Sequence, residues 1–197
     1  MIRWLVFLGL VLAFALASHV AALWAIPYAI MSTVMGRLSG EDGVNRIRHQ
    51  ERATHTSRTI VRPSPDLLYS ICAFDIGKQP LLIVSGAPKD TYWSVALYAS
   101  NTDNFYTIND AAAGGAPVRL VLYSQAQIAG GKAAFEATLA AANRPELAGA
   151  IGVASPSATG LVLIRTLVND EGKRPEIDAA RRDARCEPVS ALTTPPP

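Results

Sequence analysis

Residues 91–110 read TYWSVALYASNTDNFYTIND. In an extended chain Trp93, Val95 and Leu97 fall on one side, and Tyr92, Ser94, Ala96 and Tyr98 on the other. That alternation predicts a strand over Tyr92–Ala99, and Phe105–Ile108 predicts a second. Between and after them lie Asn101, Asp103, Asn104, Asn109 and Asp110, whose oxygens are of the kind a calcium ion accepts. Their spacing lacks the alternating acids and glycine of a calcium loop, and Asn and Asp also make turns by bonding their own backbone. A turn is the leading reading. Asn101, Asp103 and Asn104 are kept as candidate ligand contacts, and no metal is expected. Tyr92, Trp93 and Tyr98 are candidates for lining a groove, although aromatics at alternating positions more often serve a core or cross-strand pairs.

The same alternation recurs outward from this hairpin. After Arg62-Pro63-Ser64-Pro65-Asp66, where proline disfavours helix in the preceding residue, Leu68–Ile76 alternates and stops at Gly77-Lys78-Gln79-Pro80. Leu81–Ser85, Val118–Tyr123 and Leu161–Val168 complete about six strands, which predict a β-sandwich or a barrel-like sheet. Two segments read as peripheral helices. Lys132–Asn143 is rich in helix formers, and Pro175–Arg185 opens on proline, places Ile177, Ala180 and Ala184 on one face and lets Asp178 pair with Arg182. Arg165 interrupts the apolar strand GLVLIRTLV, so a carboxylate partner is expected, with Asp66 or Asp75 the natural choice.

The first 35 residues differ from the rest. No acid or base occurs between Arg3 and Arg37, and from Trp4 to Ile26 only Ser18 and His19 interrupt the apolar run. That run suffices to cross a hydrocarbon core of ~30 Å. A cleaved signal peptide has a shorter apolar stretch, so residues 1–35 are expected to be an uncleaved transmembrane anchor, with a signal sequence cut near Ala15-Leu16-Ala17 the alternative. His19 reads as a neutral imidazole bonded within the span or to a partner helix. Residues 36–60 read as a polar, partly helical stalk, 61–187 as the β-domain with its C-terminal helix, and 188–197 as a disordered tail. Counting bases does not favour export of the body, but the signal-like start and short N-terminal tail do.

The chain has 197 residues, room for one domain plus an accessory segment, and a formal net charge of +2 with no basic cluster, which argues against nucleic acid as a partner. Cys72 and Cys186 lack metal-ligand spacing. Two separate buried thiols are the leading reading, and one disulfide tying the C-terminal segment to the domain is the alternative. The three histidines, His19, His49 and His55, all precede the strand-rich body, so a Ser-His-Asp arrangement would have to borrow its base from the stalk. Nucleotide loops, zinc-protease helices and nucleophile elbows are absent, and no cofactor is expected.

Three segments carry a resemblance: RPSPDLLYS at 62–70 with Asp75 after it, YWSVALYASNTDNF at 92–105, and VLIRTLVND at 162–170. With Asn45–His49 they make most of residues 45–187 similar to the bacterial domain-of-unknown-function family numbered 1254, in particular its short membrane-anchored branch. The resemblance implies an immunoglobulin-like β-sandwich and a companion domain, numbered 1214, beside or fused to it. Ser64 and Ala99 stand where longer members carry an Asn and an acid, so a polar site built on those two groups does not carry over from the resemblance.

The expectation is therefore a mainly β, single-pass protein of the bacterial inner membrane. Its sandwich lies in the periplasm and binds a ligand or a partner, such as an envelope protein carrying the companion domain. A binding module is favoured over an enzyme. The alternative is an envelope hydrolase acting on a lipid-like or saccharide substrate, with Arg62, Asp66, Tyr69 and Arg165 as its polar site.

Overall fold

The structure, a computed structural model, describes residues 1–40, 43–58, 62–124, 131–141 and 144–189. Nine strands occur among them: β1 (Arg48–His49), β2 (Leu67–Asp75), β3 (Leu81–Val84), β4 (Trp93–Ala99), β5 (Asn104–Asn109), β6 (Arg119–Ser124), β7 (Ile151–Ser155), β8 (Thr159–Leu167) and β9 (Arg185–Pro188). The helices are α1 (Ile2–Ser39), α2 (Gly131–Ala141) and α3 (Arg174–Arg182). The strands form two sheets, ordered β1-β2-β8-β4-β5 and β7-β6-β3-β9. Every neighbouring pair is antiparallel except β6 with β7. A parallel pair needs a crossover, and α2 lies within that connection.

One core joins the sheets. Cys72, Phe74, Trp93, Val95, Leu97, Val162 and Ile164 from the first sheet meet Leu81, Ile83, Leu120, Leu122 and Val153 from the second. These are the inward sets that the two-residue period defines. The outer face of the second sheet is also apolar, and Phe135 and Leu139 of α2 cover Leu82, Val84, Val121 and Tyr123.

The Cys72–Cys186 disulfide ties β2 to β9 across this core, 114 residues apart in sequence. This corrects the expectation of two separate thiols. Sequence spacing could not reveal it, because only the folding of a charged C-terminal segment into β9 brings Cys186 opposite Cys72.

The 38 residues of α1 span about 57 Å at ~1.5 Å per residue, nearly twice a bilayer's hydrocarbon thickness. The helix is long and apolar enough to cross a membrane, and its apolar window is unburied. Its last turns do something else. Met31 is buried with Val34, Met35 and Leu38 against Ile71, Ala73, Tyr98 and Leu161 on the outer face of the first sheet. The apolar helix thus continues without a break into a strut packed on the domain.

Residues 43–58 contain no helix. Of the expected stalk, residues 36–39 are the last turn of α1, and residues 43–58 form an extended edge that pairs with β2 through β1 in place of a further helix. Asn45, at φ 62°, donates its side-chain amide to Asp75 O at 2.7 Å and accepts from Asp75 N–H at 2.8 Å, extending the edge through a side chain. The tail boundary also moves: Pro188 closes β9, and the buried Val189 donates its N–H to Pro80 O at 2.8 Å. Residues 190–197 of the expected tail lie outside the described residues.

Closing a loop of 114 residues removes about 4–5 kcal/mol of unfolded-chain entropy in the loop-closure account. Cys72→Ala with Cys186→Ala should therefore lower the urea unfolding free energy of the detergent-solubilised chain by about that much, and adding reductant to the wild-type protein should reproduce the loss.

Candidate functional site

Polar chemistry concentrates at the end of the sheets where β2 and β4 begin and β8 ends. Arg181 of α3 is only 2% exposed there. Its Nη1 donates to Tyr69 O at 2.7 Å, to Gln50 O at 3.3 Å and to Ser70 Oγ at 3.4 Å. Its Nε donates to Asp178 Oδ1 at 2.8 Å, and Nη2 reaches the same oxygen. Asp178 also accepts from Arg182 Nε at 2.9 Å through its other oxygen, the pairing expected from the helix spacing. A guanidinium with its donors so distributed can be buried without being left uncompensated.

The helix comes this close because Gly86 has no side chain. A Cβ at that position would collide with the backbone of Ala180 and Arg181.

His49 completes the cluster, with Nδ1 2.8 Å from Ser70 Oγ. Burial holds its pKa below the ordinary value, the Arg181 and Arg182 charges push it down further, and Asp178 opposes them. Burial alone would raise the Asp178 carboxyl, but the hydrogen bonds and charges of Arg182 and Arg181 outweigh it and hold the carboxyl below its usual range. A histidine, a serine and an aspartate therefore do converge, with the base supplied by β1. Ser70 is 0% exposed and sits beneath Arg181. Its hydroxyl is shared between His49 Nδ1 and Arg181 Nη1, so it holds the edge strand to the helix.

The sequence reading missed this cluster. One signal was present: Arg181 follows Ile177 by four residues and so shares its apolar face, the same anomaly that singled out Arg165.

The three segments that carry the family resemblance meet at this end. Val168 N–H donates to Asp66 O at 2.9 Å, and Leu167 N–H to Tyr92 O at 2.9 Å. Thr91 Oγ1 donates to Leu167 O and Asn169 Nδ2 to Asp90 O, both at 2.7 Å. Beside them lies an open concavity of about 510 Å³, walled by Lys89, Asp90, Tyr92, Asp110 and Asn169. Such a wall offers donors, acceptors and one exposed aromatic ring to a polar partner.

The other candidates are dispersed. Trp93 is wholly buried in the core, Tyr98 packs under α1 and Tyr92 is exposed, so the three aromatics do not line one groove. Asn101 and Asp103 lie at the opposite end, in the turn between β4 and β5, and Asn104 opens β5. Asp103 N–H donates to Asn101 Oδ1 at 3.2 Å, Ala99 N–H to Asp103 O at 2.9 Å, and Asn104 Nδ2 to Leu97 O at 3.1 Å. These polar atoms build the turn.

Of the four residues of the proposed hydrolytic group, Tyr69 and Arg165 are half-buried and paired in register on β2 and β8, and Arg62 and Asp66 are exposed in the segment that leads into β2. The carboxylate expected beside Arg165 is not there: no described Asp or Glu lies within ion-pair distance of it, and its buried Nε has no hydrogen-bond partner. Asp75 lies opposite Thr159, six positions along β8. Among the described residues no group of three or more His, Cys, Asp or Glu could hold a metal ion.

Arg181→Ala should cost about 3–5 kcal/mol of unfolding free energy, because it strands buried partners, whereas Arg182→Ala at the exposed end of the cluster should cost at most about 1 kcal/mol. Since His49 binds its proton less readily folded than unfolded, its contribution is full above about pH 6.5 and falls as pH drops below that value. His49→Gln should shrink the loss of urea midpoint between about pH 7.5 and about pH 5, and an undiminished loss would assign the acid sensitivity elsewhere.

No curated protein matches the sequence. Among solved structures, the fold resembles the VPA0106 protein from Vibrio parahaemolyticus, with a TM-score of 0.61 at 11% identity, covering 90% of this chain and 39% of that one. This chain therefore spans well under half the length of that protein. An uncharacterised protein from Burkholderia cenocepacia aligns with a TM-score of 0.42 at 14% identity, over 66% of this chain and 33% of that one. A family model described as a protein of unknown function matches residues 44–188, which include both sheets, the Arg181 cluster and all three resembling segments. The chain belongs to the DUF1254 family.

Proposed function

We propose that this protein is a membrane-anchored module of the bacterial cell envelope, with its two-sheet body in the periplasm, that binds a partner at the membrane surface. The observation that carries the reading is the Cys72–Cys186 bond. Disulfides persist in oxidising compartments, and this one joins the two sheets of a body continuous with an exposed apolar helix. The docking of Met31 and its neighbours on the first sheet supports retention of the helix as an anchor, because part of the helix belongs to the fold. The body is read as immunoglobulin-like, from two mostly antiparallel sheets bridged by a disulfide.

The binding surface is the sheet end walled by Lys89, Asp90, Tyr92, Asp110 and Asn169. Its exposed polar groups suit a protein partner better than a buried apolar ligand. An envelope protein carrying the companion domain is the partner of choice.

A reporter that matures only outside the cytoplasm, fused to the C-terminus, should be active and should stay with the membrane after an alkaline wash. An inactive but stably expressed fusion would place the body in the cytoplasm and overturn the reading.

A further inference from the structure

We propose that Arg165, Ser94 and Tyr69 form an oxyanion-binding site on the outer face of the first sheet, taking a phosphate or carboxylate group. Tyr69, Arg165 and Ser94 stand opposite one another on the neighbouring strands β2, β8 and β4. Val95 and Ile164, the next residues along, point into the core. The three side chains therefore share the outer face in a row across the strands, spaced at about 4.8 Å per strand.

Their hydrogen bonding is incomplete in one direction. Arg165 Nε and Ser94 Oγ are both buried with no partner, and Ser94 is 0% exposed. Tyr69 Oη accepts from Ser64 N–H at 3.0 Å, which leaves its own proton free to donate. The row thus offers a guanidinium and two hydroxyl protons, with no described carboxylate paired to the arginine. Buried polar groups are ordinarily satisfied, so this arrangement calls for an acceptor from outside the chain. A guanidinium selects an anionic acceptor with two oxygens, and the hydroxyls extend the same contact.

The last turns of α1 cover the adjoining part of this face, at Ile71, Ala73, Tyr98 and Leu161. A lipid headgroup and a soluble phosphate or carboxylate both meet the chemistry. The site deepens the membrane-module reading by naming a ligand class, but its test does not depend on which side of the membrane the body occupies.

The full chain, reconstituted in nanodiscs of phosphatidylcholine in chloride buffer, is titrated with inorganic phosphate and with acetate while the thermal unfolding midpoint is followed. A saturable rise is expected with at least one of the anions, and Arg165→Gln should weaken the apparent affinity at least tenfold. Ser94→Ala should weaken it too while leaving the fold intact, since it removes only an unpartnered hydroxyl, and this variant keeps the test informative if Arg165→Gln unfolds. Discs containing phosphatidylglycerol form the second arm. A midpoint raised by that lipid without free anion, and returned by Ser94→Ala, would assign a lipid headgroup; a response to soluble anion alone would assign a soluble ligand. Equal rises in wild type and both variants would be a general salt effect and would overturn the site, as would no rise in either arm.

Discussion

The bond between Cys72 and Cys186 is the constraint on which the rest of the structure leans, because it joins an edge strand to a central position across the core. β9 has four residues, three of them exposed, and one neighbour, β3. So short and polar an edge has little apolar area with which to hold itself in place. The disulfide fixes it, and with it the preceding helix α3, which carries Arg181 into the gap between β1, β2 and the Gly86 turn. Removal of the bond would therefore act on both sheets and on the polar cluster at their end. The bond also links fold to compartment, since the same covalent contact that organises the C-terminal segment requires oxidation to form.

A second feature concerns the N-terminal helix. A flexible linker would let the apolar segment move independently of the body, whereas α1 runs unbroken from that segment onto the first sheet. The residues expected to form a stalk are instead stitched to β2 by Asn45 and β1. One sheet face is thus held in a set relation to the helix, while the loops of the Lys89–Asn169 end stay open. Rigidity of this kind lowers the ordering cost of engaging a partner.

The alternation at Tyr92–Ala99 and Leu161–Val168 made the central strands legible, because a strand with neighbours on both sides must send its apolar residues inward at every second position. The turn at Asn101–Asn104 was legible for a local reason, the capacity of Asn and Asp to bond their own backbone. β1, β7 and β9 were not: two residues give β1 no period, β7 and β9 lack the unbroken apolar run that marked the equally short β3, and the pairing of all three is set by distant partners. The same limit hid the disulfide and the Arg181 cluster. Arg165 was recognised as anomalous, but the carboxylate assigned to it was wrong, because strand register carries Asp75 to the far end and leaves Asp66 in an exposed turn.

The most direct test counts thiols in the native protein. Membranes are lysed into denaturant containing a mass-shifting maleimide, with and without prior reduction, and the intact chain is weighed. The account predicts no added maleimide in the unreduced sample and two after reduction, for a chain that retains its N-terminal helix. Two additions without reduction would show Cys72 and Cys186 free, and would contradict both the sheet-to-sheet bond and the oxidising compartment inferred from it.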